Sequence, residues 1–226
     1  FEAKDTLAQT AIQQSRFVYQ TDTKVYKDLA IQVMDQRSNP SEGRIYPVSG
    51  VTVQLLGTGM NSKTDAAGLA RFGELPANGR VWALLATEDG SIIPTAGELV
   101  VSGKGEVQRM RTMTYQTYVS YMNIWGTNQD WSKGSICARA MDSSGRQSLD
   151  GLSVQVNDEQ ADGPYYFGAY GPQPGLAKTD SSGRFCFFNV IPGLTELSFF
   201  DGNDFVSALT LPIFPGAHSE EDLPLE

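Results

Sequence analysis

Histidine and cysteine are scarce in this 226-residue chain: one histidine, His218, and two cysteines, Cys137 and Cys186. A single imidazole excludes the usual His-rich metal sites and weakens any histidine-based acid/base mechanism. Cations are also few, 17 Lys+Arg against 26 Asp+Glu, and the net charge of −9 argues against nucleic-acid binding. No apolar run approaches the roughly 18 residues of a membrane span. A Gly-x-Ser-x-Gly nucleophile elbow is missing, and Gly57-Thr58-Gly59 and Gly103-Lys104-Gly105 are turn sequences without phosphate-loop spacing. Paired carboxylates leave a glycosidase open only in principle, because their pairing is spatial. The sequence reads as non-enzymatic. Hydrophobic residues at 40% and aromatics at 10% are enough for a real core, in one large domain or two of about 110 residues.

The acidity is uneven. Residues 1–130 carry 12 Lys+Arg and 13 Asp+Glu, whereas residues 131–226 carry 5 and 13. Glu220-Glu221-Asp222 reads as part of a solvated acidic tail over 216–226, with His218 exposed within it.

Three motifs recur in order. Ile31-Gln32-Val33-Met34-Asp35 parallels Ala138-Arg139-Ala140-Met141-Asp142, and Ser49-Gly50-Val51-Thr52-Val53 parallels Asp150-Gly151-Leu152-Ser153-Val154. Thr64-Asp65-Ala66-Ala67-Gly68, followed by Leu75-Pro76, parallels Thr179-Asp180-Ser181-Ser182-Gly183, followed by Ile191-Pro192-Gly193. Val51, Val53 and Leu55 alternate with polar residues, as do Leu152, Val154 and Val156, so both copies predict half-buried strands. The Asp-x-x-Gly segments predict tight turns, with Asp capping and Gly in the left-handed region. Short strands at this spacing predict two antiparallel β-sandwiches in tandem.

These motifs resemble the carboxypeptidase regulatory-like domains. The resemblance implies an all-β chain of two Ig-like, transthyretin-like (prealbumin-like) sandwiches, modules that accompany enzymes, surface proteins and receptors without being catalytic. It covers about residues 25–110 and 134–215. The second copy departs from the first: the offset between copies grows from 101 at Gly50/Gly151 to 115 at Asp65/Asp180. The expected organisation is an N-terminal segment over 1–24, a first sandwich over 25–115, an aromatic linker over 116–133, a second sandwich over 134–215 and the tail. Residues 6–19 predict a short helix that Asp5 would cap, without the basic and long apolar regions of an intact signal peptide. A start at Phe1 suggests processing or truncation, and the chain is expected to belong to a longer protein or assembly.

Cys137 and Cys186 fall in the second copy, each on the strand face that carries an Arg (Arg139, Arg184) and away from the apolar face. They would form a disulfide if their strands are neighbours, which implies an oxidising compartment. The alternative is two reduced strand cysteines in a cytosolic protein. Asp158 and Asp162 in the extra segment, with Asp201 and Asp204 in a second acidic turn, offer the hard oxygens that Ca²⁺ takes, although such clusters are also ordinary turn formers. No other cofactor is expected. The extra segment also gathers Tyr165, Tyr166, Phe167 and Tyr170 among glycines and prolines. These rings either fold back on the protein or bind a partner, protein or glycan. Tyr115, Tyr118, Tyr121, Trp125 and Trp131 form a second aromatic group, expected to pack between the domains and make a rigid rod. The function expected is a non-catalytic extracytoplasmic spacer and protein-binding or adhesion element of a cell-envelope or secreted protein. A carbohydrate-binding accessory domain is the alternative.

Overall fold

The computed structural model describes residues 26–38, 43–76, 79–101 and 107–225. The expected helix over 6–19 lies outside the described residues. The chain divides into two compact units, the first ending at Gln116 and the second starting at Thr117. Both are β-sandwiches. Among the described residues no helix is long and apolar enough to cross a membrane.

Unit 1 contains β1 (Tyr26–Asp35), β2 (Thr52–Leu55), β3 (Met60–Lys63), β4 (Leu69–Pro76), β5 (Arg80–Ala86), β6 (Thr95–Val100) and β7 (Val107–Thr112). One layer runs β4-β1-β7. In the other, β6, β5, β2 and β3 pair in that order. The period-two apolar set drives the closure: Leu29, Ile31 and Val33 from the first layer meet Val51, Val53, Leu55, Ala83 and Leu85 from the second in one core.

Helix α1 (Tyr115–Trp125) has its first two residues in unit 1 and the rest in unit 2. Then come β8 (Gly134–Met141), β9 (Leu152–Val156), β10 (Asp162–Gly168), β11 (Gly171–Pro172), β12 (Arg184–Val190), β13 (Gly193–Asp201), β14 (Asp204–Ile213) and β15 (His218–Pro224). One layer runs β11-β10-β12-β8-β15 and the other β14-β13-β9. Ile136, Ala138, Phe185, Phe187, Leu197 and Phe199 fill the space between them.

The two units share most of their pairing. β1 pairs with β4 as β8 pairs with β12, and β2 with β5 as β9 with β13. The first strand of each unit pairs with its last in parallel, β1 with β7 and β8 with β15. One layer of each unit is therefore mixed, where wholly antiparallel sheets were expected; the other layer of each is antiparallel throughout. The turns match to the hydrogen bond. The Thr64 hydroxyl donates to the Val48 carbonyl at 2.9 Å and accepts from Val51 N–H at 2.9 Å. The Thr179 hydroxyl does the same between Leu149 and Leu152, both at 3.0 Å. Both hydroxyls are buried, so each would cost free energy if unpaired.

Two expectations need correction. Residues 116–133 are not simply a linker, since they include most of α1. The expected solvated tail over 216–226 is, as far as residue 225, part of the sandwich: β15 inserts beside β8, His218 is fully buried, and Leu223 and Leu225 enter the core.

Candidate functional site

The chemistry-bearing side chains of unit 2 collect on the face of β12-β8-β15 turned away from the core. Alternation on β8 sends Ile136, Ala138 and Ala140 inward and leaves Ser135, Cys137 and Arg139 on the other face. Register places Cys186 opposite Cys137 and Cys137 opposite Glu220, a row across three strands. On one side of that row Ser135 faces His218; on the other, Arg184 faces Arg139 and Arg139 faces Asp222.

Cys137 and Cys186 are joined as a disulfide across the antiparallel pair. Both lie on the face that carries the arginines, as expected from alternation. Both are also buried, at 1% and 0% exposure, because α1 lies over this face. Tyr118, Tyr121 and Trp125 share one side of the helix through i, i+3, i+7 spacing. The Tyr118 ring meets Phe188 at 5.5 Å and His218 at 5.6 Å. Trp125 stacks on Tyr165 and meets Phe167 edge-on, both at 5.1 Å, and Tyr121 meets Phe167 at 5.3 Å. The helix stops in a Schellman turn: Gly126, at φ +70°, donates to Asn123 O at 3.3 Å, and Thr127 N–H donates to Met122 O at 3.0 Å.

A polar chain runs beneath this aromatic cover. The Tyr118 hydroxyl bonds Gln129 Oε1 at 2.7 Å and Ser135 Oγ at 2.8 Å. Ser135 Oγ lies 3.0 Å from His218 Nδ1, and His218 Nε2 lies 3.2 Å from Glu220 Oε2. Glu220 Oε1 accepts from Arg184 Nη2 at 3.1 Å, and the Arg184 guanidinium rests 4.2 Å from the Phe167 ring centroid. A carboxylate this enclosed needs such partners, because an unpaired buried charge is expensive.

The expected binding rings do not form one surface. Tyr166 points into the core, 2% exposed, and its hydroxyl accepts from Val154 N–H at 2.9 Å. Burial pushes its pKa up, with the Val154 hydrogen bond opposing. Phe167 is 1% exposed under α1, Tyr165 is half-buried against Trp125, and Tyr170 alone stands fully exposed. The segment expected as a loop pairs as strand β10 along β12, which divides its rings between two sides of the sheet.

The four aspartates do not come together as one ligand group, and Asp158 and Asp162 each accept hydrogen bonds within the fold. Asp158 accepts from Gln160 N–H at 2.9 Å and Ile191 N–H at 2.7 Å. Asp162 Oδ2 accepts from Thr127 Oγ1 at 2.8 Å and Asn189 Nδ2 at 2.7 Å, tying the post-helix loop to β10 and β12. Asp201 and Asp204 face each other across the β13–β14 hairpin. Among the described residues the one trio of potential ligands within mutual reach is Cys137, His218 and Glu220. Sequence reasoning missed Ser135, put His218 and Glu220 in an exposed tail, and grouped Tyr118 with rings expected between the domains. The helical spacing of Tyr118, Tyr121 and Trp125 was the readable signal for a cover.

No family model matches the chain, and no curated protein matches it. Among solved structures it is similar to the Bacillus anthracis TIE protein, at 14% identity and a TM-score of 0.29. That match covers 88% of this chain and 34% of the other, so the chain spans about a third of that protein. It is similar to GBS52, the minor pilin of Streptococcus agalactiae, at 15% identity and a TM-score of 0.28, covering 88% and 94%. It is also similar to the shaft pilin SpaA of Lactobacillus rhamnosus GG, at 10% identity and 0.28, covering 89% and 97%. Likeness at this level assigns no role to this chain.

Proposed function

We propose that the chain is a non-catalytic, extracytoplasmic pair of β-sandwich modules of the carboxypeptidase regulatory-like type, serving as a spacer and protein-binding element of a cell-envelope or secreted protein. The observation that carries the reading is the parallel pairing of first and last strands in each unit. Pulling the two ends of such a unit apart slides those strands along each other. The hydrogen bonds of the ladder are then loaded together rather than one after another. In unit 2 the disulfide adds a covalent restraint between β8 and β12 that persists in an oxidising compartment. Ser135 and His218, which with Glu220 resemble a nucleophile relay, lie at 1% and 0% exposure under α1, which favours a structural use. The glycan reading is left with Tyr170 and part of Tyr165 as open rings, and we do not adopt it.

Force spectroscopy on the whole chain, held at both ends, tests the spacer role. Two resolvable unfolding events are expected. The event from unit 2 lengthens when a dithiol opens the loop closed by Cys137 and Cys186, 49 residues apart. Extension of either unit without a resolvable event would sink the reading.

A further inference from the structure

The buried row Cys186–Cys137–Glu220 does more than hold a disulfide. We propose that the dithiol form of unit 2 binds one divalent cation of the zinc class, through the sulfurs of Cys137 and Cys186, His218 Nε2 and a Glu220 carboxylate oxygen. The disulfide and the metal are then alternative occupants of one site. The proposal does not depend on the spacer reading.

Four observations support it. One ligand atom from each of Cys137, His218 and Glu220 lies within 4.8 Å of the others, and Cys186 is bonded to Cys137. Cys137, His218 and Glu220 are therefore placed to share an ion without a change of strand register, and Cys186, opposite Cys137 on β12, must swing its sulfur in from the neighbouring strand. Two thiolates, an imidazole and a carboxylate are a borderline-soft set, which suits Zn²⁺ over Ca²⁺ or Mg²⁺. The far nitrogen of the imidazole is already held, with His218 Nδ1 3.0 Å from Ser135 Oγ and Ser135 backed by Tyr118 at 2.8 Å. That is the outer support which orients metal-bound histidines. Finally, the charges balance. Two thiolates and Glu220 against a dication leave one negative charge, and Arg184, 3.1 Å from Glu220 Oε1, cancels it.

The redox step is a simple exchange. A dithiol reductant delivers two electrons and two protons, the Cys137–Cys186 bond breaks, two thiols form, and the reductant closes to its own disulfide. Metal binding then releases the two thiol protons as two sulfur–metal bonds form.

Cobalt(II) titration tests this. The whole chain is reduced with dithiothreitol during refolding and freed of reductant without oxygen. Its two thiols are then counted, and its fold is checked by near-ultraviolet circular dichroism. One equivalent of Co(II) should produce a thiolate-to-metal charge-transfer band and the intense visible bands of a tetrahedral centre, both abolished by Zn²⁺. The oxidised chain should give neither. His218→Asn, which keeps size and polarity, should weaken Co(II) binding about tenfold or more, and Ser135→Ala about tenfold to a hundredfold. Hydrogen exchange around α1 in each variant separates loss of ligand from loss of fold. The proposal is overturned if the reduced, folded chain takes up no Co(II), or if folded His218→Asn binds with unchanged affinity and spectrum. It is equally overturned if the reduced chain stays unfolded with Co(II) present.

Discussion

Unit 1 and unit 2 draw nearly the same strand diagram and cover it differently. In unit 1 the strand after β2 turns straight back, and β3 pairs with β2. In unit 2 the strand after β9 changes layer, and β10 pairs with β12. The longer connection between the Gly151 and Asp180 motifs supplies the chain for that change. Its consequence is a wider sheet whose outer face α1 covers with Tyr118, Tyr121 and Trp125, placing the disulfide, His218 and the Glu220 carboxylate indoors. The shared pairing depends on the turn motifs; the covered face depends on the insertion and the helix.

The largest expected break in that comparison is removal of the disulfide. Cys137→Ala with Cys186→Ala releases a closed loop of 49 residues, worth about 4 kcal/mol in the chain-entropy account. Hydrogen exchange resolved along the chain in mild urea should show protection falling in unit 2 while unit 1 is unchanged. Equal loss in both units would show that the disulfide stabilises more than its own sandwich.

A shared requirement should respond alike in both units. A Cβ on Gly68, at φ +72°, would sit 2.5 Å from the Val33 carbonyl oxygen, and one on Gly183, at φ +66°, 2.6 Å from the Ala140 oxygen. Each oxygen already accepts a backbone hydrogen bond, from Val48 and Leu149 respectively. Gly68→Ala and Gly183→Ala should each cost about 3 kcal/mol, measured by urea unfolding. A cost in one unit alone would mean that the two turns are similar in sequence but differ in mechanical importance.

Much of this arrangement was legible because period two and Asp-x-x-Gly turns are local signals. Alternation placed both cysteines on the arginine face, and the recurring motifs marked strands and turns in both units. β15 was hidden for a physical reason. His218-Ser219-Glu220-Glu221-Asp222 lacks apolar alternation because its outward face meets Arg184, Arg139 and Ser135, partners that appear only once β15 lies beside β8. A run of acids next to distant arginines reads as tail until register is known. The aromatic segment failed similarly, since four clustered rings do not reveal that pairing to β12 sends alternate rings to opposite sides. In α1 the i, i+3, i+7 rings were visible, but position between two repeats made them look like a linker.

The finest distinction between the units sits in a matching bulge. Glu74 and Asn189 each stand six residues after the turn glycine, with φ of 59° and 56°, where register shifts against β1 and β8. A left-handed non-glycine residue at a bulge costs about 1 kcal/mol, less for Asn, which tolerates the region better. Glu74 is exposed, so Glu74→Gly relieves strain while adding freedom to the unfolded chain, a net gain of about 0.5 kcal/mol. Asn189 instead donates to Asn128 O and to Asp162 Oδ2, both at 2.7 Å, and accepts from Asp130 N–H at 2.7 Å. Asn189→Gly therefore loses three bonds that anchor the loop after α1, at about 1–2 kcal/mol. Glycine at these matching bulges should thus have effects of opposite sign in the two units, read from urea midpoints. A gain at both positions would mean that the loop after α1 is held without Asn189, and that the helix cover rests on its aromatic contacts alone.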